Sequence, residues 1–261
     1  MIWPAETLWQ QLSPLLPGIT VEVLPEIDST NTELMRRARN GQTDAVLLVA
    51  EHQTAGRGRL GRTWQGEPGQ TLMFSLGLPL QPRDWSGLSL AVGLSLAHSL
   101  DPNDQWGVRL KWPNDLWLAH PTQSWAKLAG ILIETALTPH ADQCARYCVI
   151  GVGLNVQAPP DKSLATPAVG WQSLDAQASA PALLAQVAAP LLQDVLRFAQ
   201  TGFAPLQNAF HARDALRGLD VSLSDGRIGQ AQGVDPSGAL RVQTEQGIET
   251  LHSSEVSVRP R

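Results

Sequence analysis

The chain has few cysteines and little charge, and both scarcities exclude classes of protein. Cys144 and Cys148 are the only two cysteines in 261 residues. They are too few for a disulfide framework or a metal site without other ligands, so we expect reduced thiols. Charged residues make up 16% of the chain, with a formal net charge of -5. An acidic chain is untypical of a general nucleic-acid coat, so any anion site must be local.

Long apolar runs and targeting signals are also lacking. The first residues, MIWPAETLWQQLSPLL, have no basic segment followed by an apolar core, as a signal peptide would. No apolar run approaches the roughly 20 residues that a membrane helix needs. We therefore predict a cytoplasmic protein with no membrane partner.

Short apolar runs alternate with helical patterns from Asp28 to about Val156, which predicts an α/β (α+β) core. Strand-like runs cover 45–50, 71–78, 127–134 and 147–154, and helical patterns cover 32–39 and 88–100. The cluster Ser29, Thr30 and Asn31 could cap the first of these helices.

The second half of the chain changes composition twice. Residues 157–181, rich in Ala, Pro, Ser and Gln, predict a long surface connection. A helical pattern then runs to Gly202, and we expect Pro190 to kink it. After Asp220, short segments are separated by polar-Gly pairs at 225–226, 237–238 and 246–247, which predicts a small all-β barrel. We place the domains at 1–217 and 218–261.

The segment GRGRLGR, residues 56–62, concentrates positive charge in an acidic chain. Its glycines let the backbone approach a ligand closely, and its arginines offer forked donors to carboxylate or phosphate. A solvated flexible loop is the alternative. It is not a P-loop, because Arg62 follows Gly61 where that motif needs Lys.

Four other motifs carry polar groups that could bind a ligand. For each of them, the alternative is a purely local structural role. DSTN (28–31) suits a helix cap, KWPNDL (111–116) a turn, and KLAGILIE (127–134) a strand with a lysine at its mouth. GVGLNV (151–156) begins like a dinucleotide fingerprint but has Val156 in place of the last glycine.

In this order, DSTN, QTAGRGRLGRTW, KWPNDLWL, KLAGILIE and VIGVGLN closely resemble the biotin protein ligases. The likeness spans Asp28 to Val156, and the C-terminal β segments extend it to nearly the whole chain. It implies a central mixed sheet of the class II aminoacyl-tRNA synthetase and biotin ligase type with flanking helices, plus a small C-terminal SH3-like β-barrel.

The resemblance also implies a two-step reaction. Biotin and ATP, with Mg²⁺, form biotinyl-5′-adenylate and pyrophosphate. A lysine of the biotin carboxyl carrier domain of acetyl-CoA carboxylase then attacks the adenylate. Such a reaction needs no protein nucleophile, and its demand is for fixed cations that offset the repulsion between carboxylate and phosphate.

Matching the motifs residue by residue assigns roles by resemblance. The catalytic candidates are Lys127, Arg57, Arg59 and Lys111. The biotin-binding candidates are Ser29, Thr30, Asn31, Gln53, Gly56, Arg57, Gly58, Arg59, Lys127, Gly151 and Gly153. The nucleotide-binding candidates are Trp64, Arg62, Asn114, Asp115 and Asn155. The metal ligands are unassigned, with Asp115 the candidate neighbour of a magnesium ion.

Some members of this family carry an N-terminal DNA-binding domain, but only 27 residues precede Asp28 here. We therefore predict a ligase with no nucleic-acid partner. Monomer and homodimer both remain open. The alternatives are a related ligase acting on lipoate, a nucleic-acid module using the Arg/Gly loop, and a paralogue that binds biotin or adenylate without turnover.

Overall fold

A computed structural model describes residues 1–120, 123–137, 145–159, 166–224, 226–252 and 258–260, with only the backbone of residues 120, 123 and 124. The five helices in these ranges are α1 (Ala5–Leu12), α2 (Thr30–Arg39), α3 (Leu88–Leu100), α4 (Ala180–Thr201) and α5 (Gln207–Arg213). Ser29 caps α2 by accepting a hydrogen bond from the amide of Thr32 at 3.4 Å.

A seven-stranded sheet forms the main body of the chain. Its strands are β1 (Thr20–Ile27), β2 (Val46–Gln53), β3 (Thr71–Leu80), β4 (Arg109–Lys111), β5 (Asp115–His120), β6 (Gln123–Leu137) and β7 (Arg146–Asn155). The strand order is β1-β2-β3-β7-β6-β5-β4. In the part of the chain described, β1 and β2 are parallel and the other neighbours are antiparallel. The expected mixed sheet is confirmed.

Alternation along the strands separates two faces of this sheet. On β2, Val46 and Leu48 pack with α2, whereas Leu47 and Val49 belong to the large core under α1, α3 and α4. On β7, Val149 packs with α2. Every second residue after it, Gly151, Gly153 and Asn155, therefore faces the α2 side of the sheet, beyond the start of that helix.

Residues 1–27, expected to be too short for a DNA-binding unit, form α1 and β1 and so are part of the main sheet unit. The predicted strands and helices within 28–156 are all present, and β6 extends beyond its motif at both ends. Cys148 is buried in β7, and burial raises the pKa of its thiol to about 12, so it is an inert core residue. Cys144 lies outside the described residues.

The prediction of a surface connection over residues 157–181 is wrong for residues 166–181. Val169, Trp171, Ala178 and Ala180 are buried, and Lys127 pairs with Ala168 as a short parallel bridge. Small apolar residues and one tryptophan gave this stretch more buried surface than its Pro and Ser content suggested.

The helix α4 departs from the expectation that no run is long and apolar enough to cross a membrane. Among the described residues it is the one helix that meets this test by length and composition. It packs against α3, β3 and α1, with an apolar stripe of nine buried residues. We therefore interpret α4 as the core helix of the main unit. It ends at Gly202 as predicted, and it continues through Pro190, where we expected a kink.

The C-terminal segments form a second, antiparallel sheet. Its strands are β8 (Asp220–Leu223), β9 (Ile228–Val234), β10 (Leu240–Thr244), β11 (Gly247–Leu251) and β12 (Val258–Pro260), in the order β11-β10-β9-β8-β12. Gly226, Gly238 and Gly247 have φ of 91°, 84° and 120°, as expected at tight turns. In the described residues the sheet is open between β11 and β12, while its five antiparallel strands agree with the small C-terminal β domain that we expected.

The second sheet contacts the main unit beside the KWPNDL motif. The indole Nε1 of buried Trp112 donates a hydrogen bond to the Gly238 carbonyl at 3.1 Å. The Ala215 amide donates to the Leu110 carbonyl at 2.9 Å. The Trp112 bond fixes the turn between β4 and β5 against the C-terminal sheet, and the Ala215 bond joins β4 to the segment that leads into that sheet.

Candidate active site

A cleft of about 580 Å³ opens on the α2 face of the main sheet. Sixteen of the residues assigned by resemblance line it: Ser29, Thr30, Asn31, Gln53, Arg57, Gly58, Arg59, Arg62, Trp64, Lys111, Asn114, Asp115, Lys127, Gly151, Gly153 and Asn155. Gly56 lies just behind them, and a Cβ there would sit 2.4 Å from the Trp64 carbonyl oxygen. The motifs are far apart in the sequence, and the sheet brings them together.

A neutral hydrogen-bond network forms one part of the cleft, at the start of α2. The amide and hydroxyl of Thr30 donate to Gln53 Oε1 at 2.7 and 3.2 Å. The fully buried Ser75 hydroxyl lies 2.7 Å from both Thr30 Oγ1 and Asn31 Oδ1. A Cβ at Gly151 would meet Asn31 Oδ1 at 2.0 Å, so only glycine leaves room for this network.

A cluster of cations around one carboxylate forms the other part of the cleft. Lys127 Nζ lies 2.8 Å from Asp115 Oδ1 and 5.3 Å from the centre of the Trp64 ring. Lys111, opposite Asp115 in the β4–β5 pair, places its Nζ 5.6 Å from the Trp117 ring. Two lysines therefore share one acidic partner, which leaves positive charge available to an anion.

Burial and mutual repulsion lower the pKa of two of these cations. Desolvation, together with Lys127, Arg62 and Arg59, lowers the pKa of Lys111 to about 8, against an opposing effect of Asp115. Desolvation also lowers the pKa of Arg59, with Arg62 adding to the effect and Asp115 opposing it. An anionic ligand would relieve this repulsion, as at sites that bind phosphate.

Two asparagines connect the cation cluster to the strands. Asn114 donates to the Ile131 carbonyl at 2.9 Å and accepts from Arg59 Nη1 at 3.2 Å. Asn155, at the end of β7, donates to the Lys127 carbonyl at 3.3 Å. Both therefore hold cations in place, and this supporting role was not visible in the motifs.

Arg57 lies apart from the other cations. Its Nη1 and Nη2 donate to the two carboxylate oxygens of Glu134 at 3.1 and 3.0 Å. Glu134 is seven residues after Lys127 on β6, a separation of about 23 Å along an extended strand. Arg59 rather than Arg57 is therefore the loop arginine beside Asp115.

Trp64 fixes the C-terminal end of the glycine-rich loop, residues 56–64, against the sheet. Its amide donates to the Gly56 carbonyl at 2.9 Å, and the Gly58 amide donates to the Arg62 carbonyl at 2.7 Å, so the loop closes on itself. The indole lies on Gly153, where a Cβ would sit 2.3 Å from the ring. Its buried Nε1 has no hydrogen-bond partner among the described residues, and it is a donor available to a ligand.

Substituting Gly153 with alanine should displace Trp64 and weaken nucleotide binding. An added Cβ overlaps the ring, and overpacking of this kind costs about 1–3 kcal/mol, so we expect the KM for ATP to rise about tenfold or more. The control is Gly93→Ala in α3, where the nearest contact is the flexible end of Leu110 at 3.2 Å. Unchanged kinetics in Gly153→Ala would refute the role of Trp64.

Several residues at the site were not found from the sequence. Ser75 is a hydroxyl residue in the middle of an apolar strand, and that signal could have indicated a buried polar contact. Trp117 and Trp125 line the cleft with ring centres 6.5 Å apart, and β12 contributes Arg259 to its rim. No short motif distinguishes Ser75, Trp125 or Arg259, which reach the cleft only through the fold. Trp117 lies inside the KWPNDLWL motif but was not assigned a role.

The metal-ligating groups of the cleft suit a magnesium ion that is held mainly by the phosphates of a nucleotide. Among the cleft-lining residues that the structure describes, Asp115 is the one carboxylate. The described ranges contain no group of three or more His, Cys, Asp or Glu side chains placed to hold a metal. Magnesium commonly binds one carboxylate plus substrate phosphates and water. Asp115 would hold the ion, and the ion would neutralise phosphate charge.

Comparison with known families identifies both parts of the chain. Residues 23–155 match the model of the biotin/lipoate A/B protein ligase family. Residues 221–259 match the model of the biotin protein ligase C-terminal domain. The two matches fall on the main sheet and on the second sheet.

Individual relatives extend the likeness over the whole chain. The bifunctional ligase/repressor BirA of Escherichia coli is 33% identical over 261 residues, covering 96% of this chain and 77% of that protein. A biotin–[acetyl-CoA-carboxylase] ligase of Paracoccus denitrificans is 32% identical, covering 90% and 98%. The solved biotin protein ligase of Aquifex aeolicus, in complex with biotin and ATP, is 26% identical with a TM-score of 0.76, covering 92% and 99%. The chain therefore belongs to the biotin protein ligases.

Proposed function

We propose that this chain joins biotin to AMP at the expense of ATP and then transfers the biotinyl group to a lysine of a carrier domain. One observation carries the proposal: a single cleft connects the neutral network at Gly151 to the cation cluster at Asn155. Four residues of β7 separate these points, about 13 Å of extended strand. The cleft thus suits a long ligand with an uncharged head and an anionic end.

The two parts of the cleft suit the two parts of the reaction. A ureido ring needs donors and acceptors held in place, which the buried network of Thr30, Asn31 and Gln53 provides. Bringing a carboxylate to about 4 Å from a phosphate costs roughly 4 kcal/mol for unit charges at an effective dielectric constant near 20. Lys127, Lys111 and Arg59 offset that repulsion and the charge that develops on phosphorus.

The bond changes need no nucleophile from the protein. A carboxylate oxygen of biotin attacks the α-phosphorus of ATP, and pyrophosphate leaves. The amine of the carrier lysine, after losing a proton, attacks the acyl carbon, and AMP leaves. No histidine or cysteine lines the cleft in the residues described, which agrees with catalysis by positioning and charge neutralisation.

One experiment can identify both the carboxylic acid that the chain activates, biotin or lipoate, and the carrier lysine that receives it. The purified chain is incubated with ATP, magnesium, a biotin carboxyl carrier domain and either biotin or lipoate. We expect pyrophosphate release and a single modification of the carrier with biotin, and no modification of a carrier whose target lysine is replaced by arginine. Modification with lipoate but not biotin would identify the related lipoate ligase. Binding of biotin without any turnover would identify a binding-only protein.

A further inference from the structure

Glu134 joins three elements that border the cleft. Its carboxylate accepts both forked donors of Arg57 from the glycine-rich loop and, at 3.0 Å, the Asn31 side-chain amide from α2. Asn31 also donates to the Leu132 carbonyl at 3.2 Å on the same strand as Glu134. The cleft itself does not touch Glu134, so this residue acts only through its two partners.

The contact between Arg57 and Glu134 is stronger than an ordinary surface ion pair. Arg57 is 45% exposed but Glu134 is only 21% exposed, and the pair is bidentate. Thr32 Oγ1 lies 3.4 Å from Arg57 Nη1 and adds a weaker acceptor. The guanidinium therefore has its donors directed at α2 and β6, and not at the cluster around Asp115.

The loop has few other attachments to the sheet. Within 56–64 the backbone bonds close the loop on itself, and Leu60 at its tip is 68% exposed with a φ of 56°. Trp64 holds one end of the loop against Gly153, and Arg57 holds the other end. Between these ends Arg59 donates to Asn114 at 3.2 Å, so loss of the Arg57 contact would loosen the first part of the loop without detaching the whole loop.

We propose that Glu134 is a positioning residue that anchors the glycine-rich loop through Arg57 and the biotin pocket through Asn31. Arg57 is then the tether of the loop, and Arg59 supplies the charge near the phosphates. This inference rests on the proposed biotin ligase activity for its kinetic consequences. Its structural consequence, an anchored loop, can be measured without turnover.

The test compares Glu134→Gln, Arg57→Gln and the double variant with Glu22→Gln. Glu22 forms a bidentate pair with Arg37 at 2.9 Å for both bonds, away from the cleft, and so is a matched control. The first measurement is the rate of tryptic cleavage after Arg59 and Arg62 without substrates. The second is the KM for biotin and the kcat for pyrophosphate release. Thermal unfolding midpoints establish that each variant is folded.

We expect cleavage in the loop to be about tenfold faster in Glu134→Gln and in Arg57→Gln, equivalent to losing one hydrogen bond of a charged group. The KM for biotin should rise by a similar factor while kcat stays within about threefold. The double variant should resemble either single variant, and Arg57→Lys should be intermediate. Glu22→Gln should match the unsubstituted chain in loop cleavage, in the KM for biotin and in kcat.

Two results would overturn the inference. One is loop cleavage in Glu134→Gln at the rate of the unsubstituted chain. The other is a large loss of kcat in Arg57→Gln that Glu134→Gln does not share, which would place Arg57 on the reacting groups. Arg57 is exposed, so its variant does not depend on a buried substitution being tolerated. If the unsubstituted chain released no pyrophosphate, the proposed function would fail while the cleavage result still decided whether Glu134 anchors the loop.

Discussion

Replacing Lys127 with methionine is expected to lower the rate of biotin-dependent pyrophosphate release by about 10²- to 10³-fold, the usual effect of removing one preorganised donor from developing charge. Lys127 lies on the rigid strand β6, beside Asp115 and Trp64, and its backbone is held by Pro167 at 2.7 Å. Methionine keeps the length and most of the packing of the lysine stem. The rate is measured by coupled detection of pyrophosphate at saturating biotin and ATP.

The matched control for this variant is Arg109→Met. Arg109 is 26% exposed and paired with Asp104, and Lys127 is 25% exposed and paired with Asp115. Each variant thus loses one ion-paired cation of similar exposure, but only Lys127 lines the cleft. Equal rates in the two variants would mean that the charge of Lys127 has no part in the chemistry.

Activity should also fall at alkaline pH, because Lys111 loses its proton there. Burial and the neighbouring cations lower the pKa of Lys111 to about 8, so it is charged below this pH and neutral above it. Only the charged form attracts phosphate. We expect kcat/KM for ATP to be constant below about pH 8 and then to fall about tenfold per pH unit, reaching a loss of roughly 30-fold at pH 9.5.

The control is Lys111→Arg, whose guanidinium stays protonated throughout this range. Its profile should stay level to at least pH 9.5, even if its rate at pH 7 is lower because the wider head group fits the site less well. An alkaline fall at the same pH in both proteins would assign the titration to another group. Calorimetry of ATP binding in two buffers should show proton uptake at pH 8.5 in the original chain and none in the variant.

Features with a local signal were predictable from the sequence. The helix cap at Ser29, the helix over 88–100 and the turns at Gly226, Gly238 and Gly247 depend on neighbouring residues alone, and the structure has them as expected. The cleft-lining motifs were also found, because several rare local patterns occur in one fixed order. Their assembly into one cleft then followed from the family resemblance.

Features set by contacts between distant residues were not predictable. The pair of Arg57 and Glu134 joins positions 77 residues apart, and no local pattern connects them. The buried stretch containing Val169 and Trp171 looked like a surface connection, because its packing partners lie elsewhere in the chain. The role of Asn114 as a holder of Arg59 likewise depends on the loop folding over β4 and β5.

The open edges of the second sheet also depend on contacts between distant residues. Alternating short strands and glycine turns indicate an antiparallel sheet, but closure depends on whether the two edge strands, β11 and β12, pair with each other. Here β12 pairs with β8, and its residues reach the rim of the cleft. The β segments were therefore predicted correctly, and their arrangement around the site was not.

If the cleft forms an adenylate from biotin and ATP, that adenylate should be detectable before any transfer to a carrier. The most direct test is a single-turnover reaction of the purified chain with ATP labelled at the α-phosphate, with and without biotin, and with no carrier domain present. We predict that labelled biotinyl-adenylate forms on the protein only when biotin is present and disappears as AMP when the carrier is added. Label released without biotin, or no adenylate in its presence, would contradict the account.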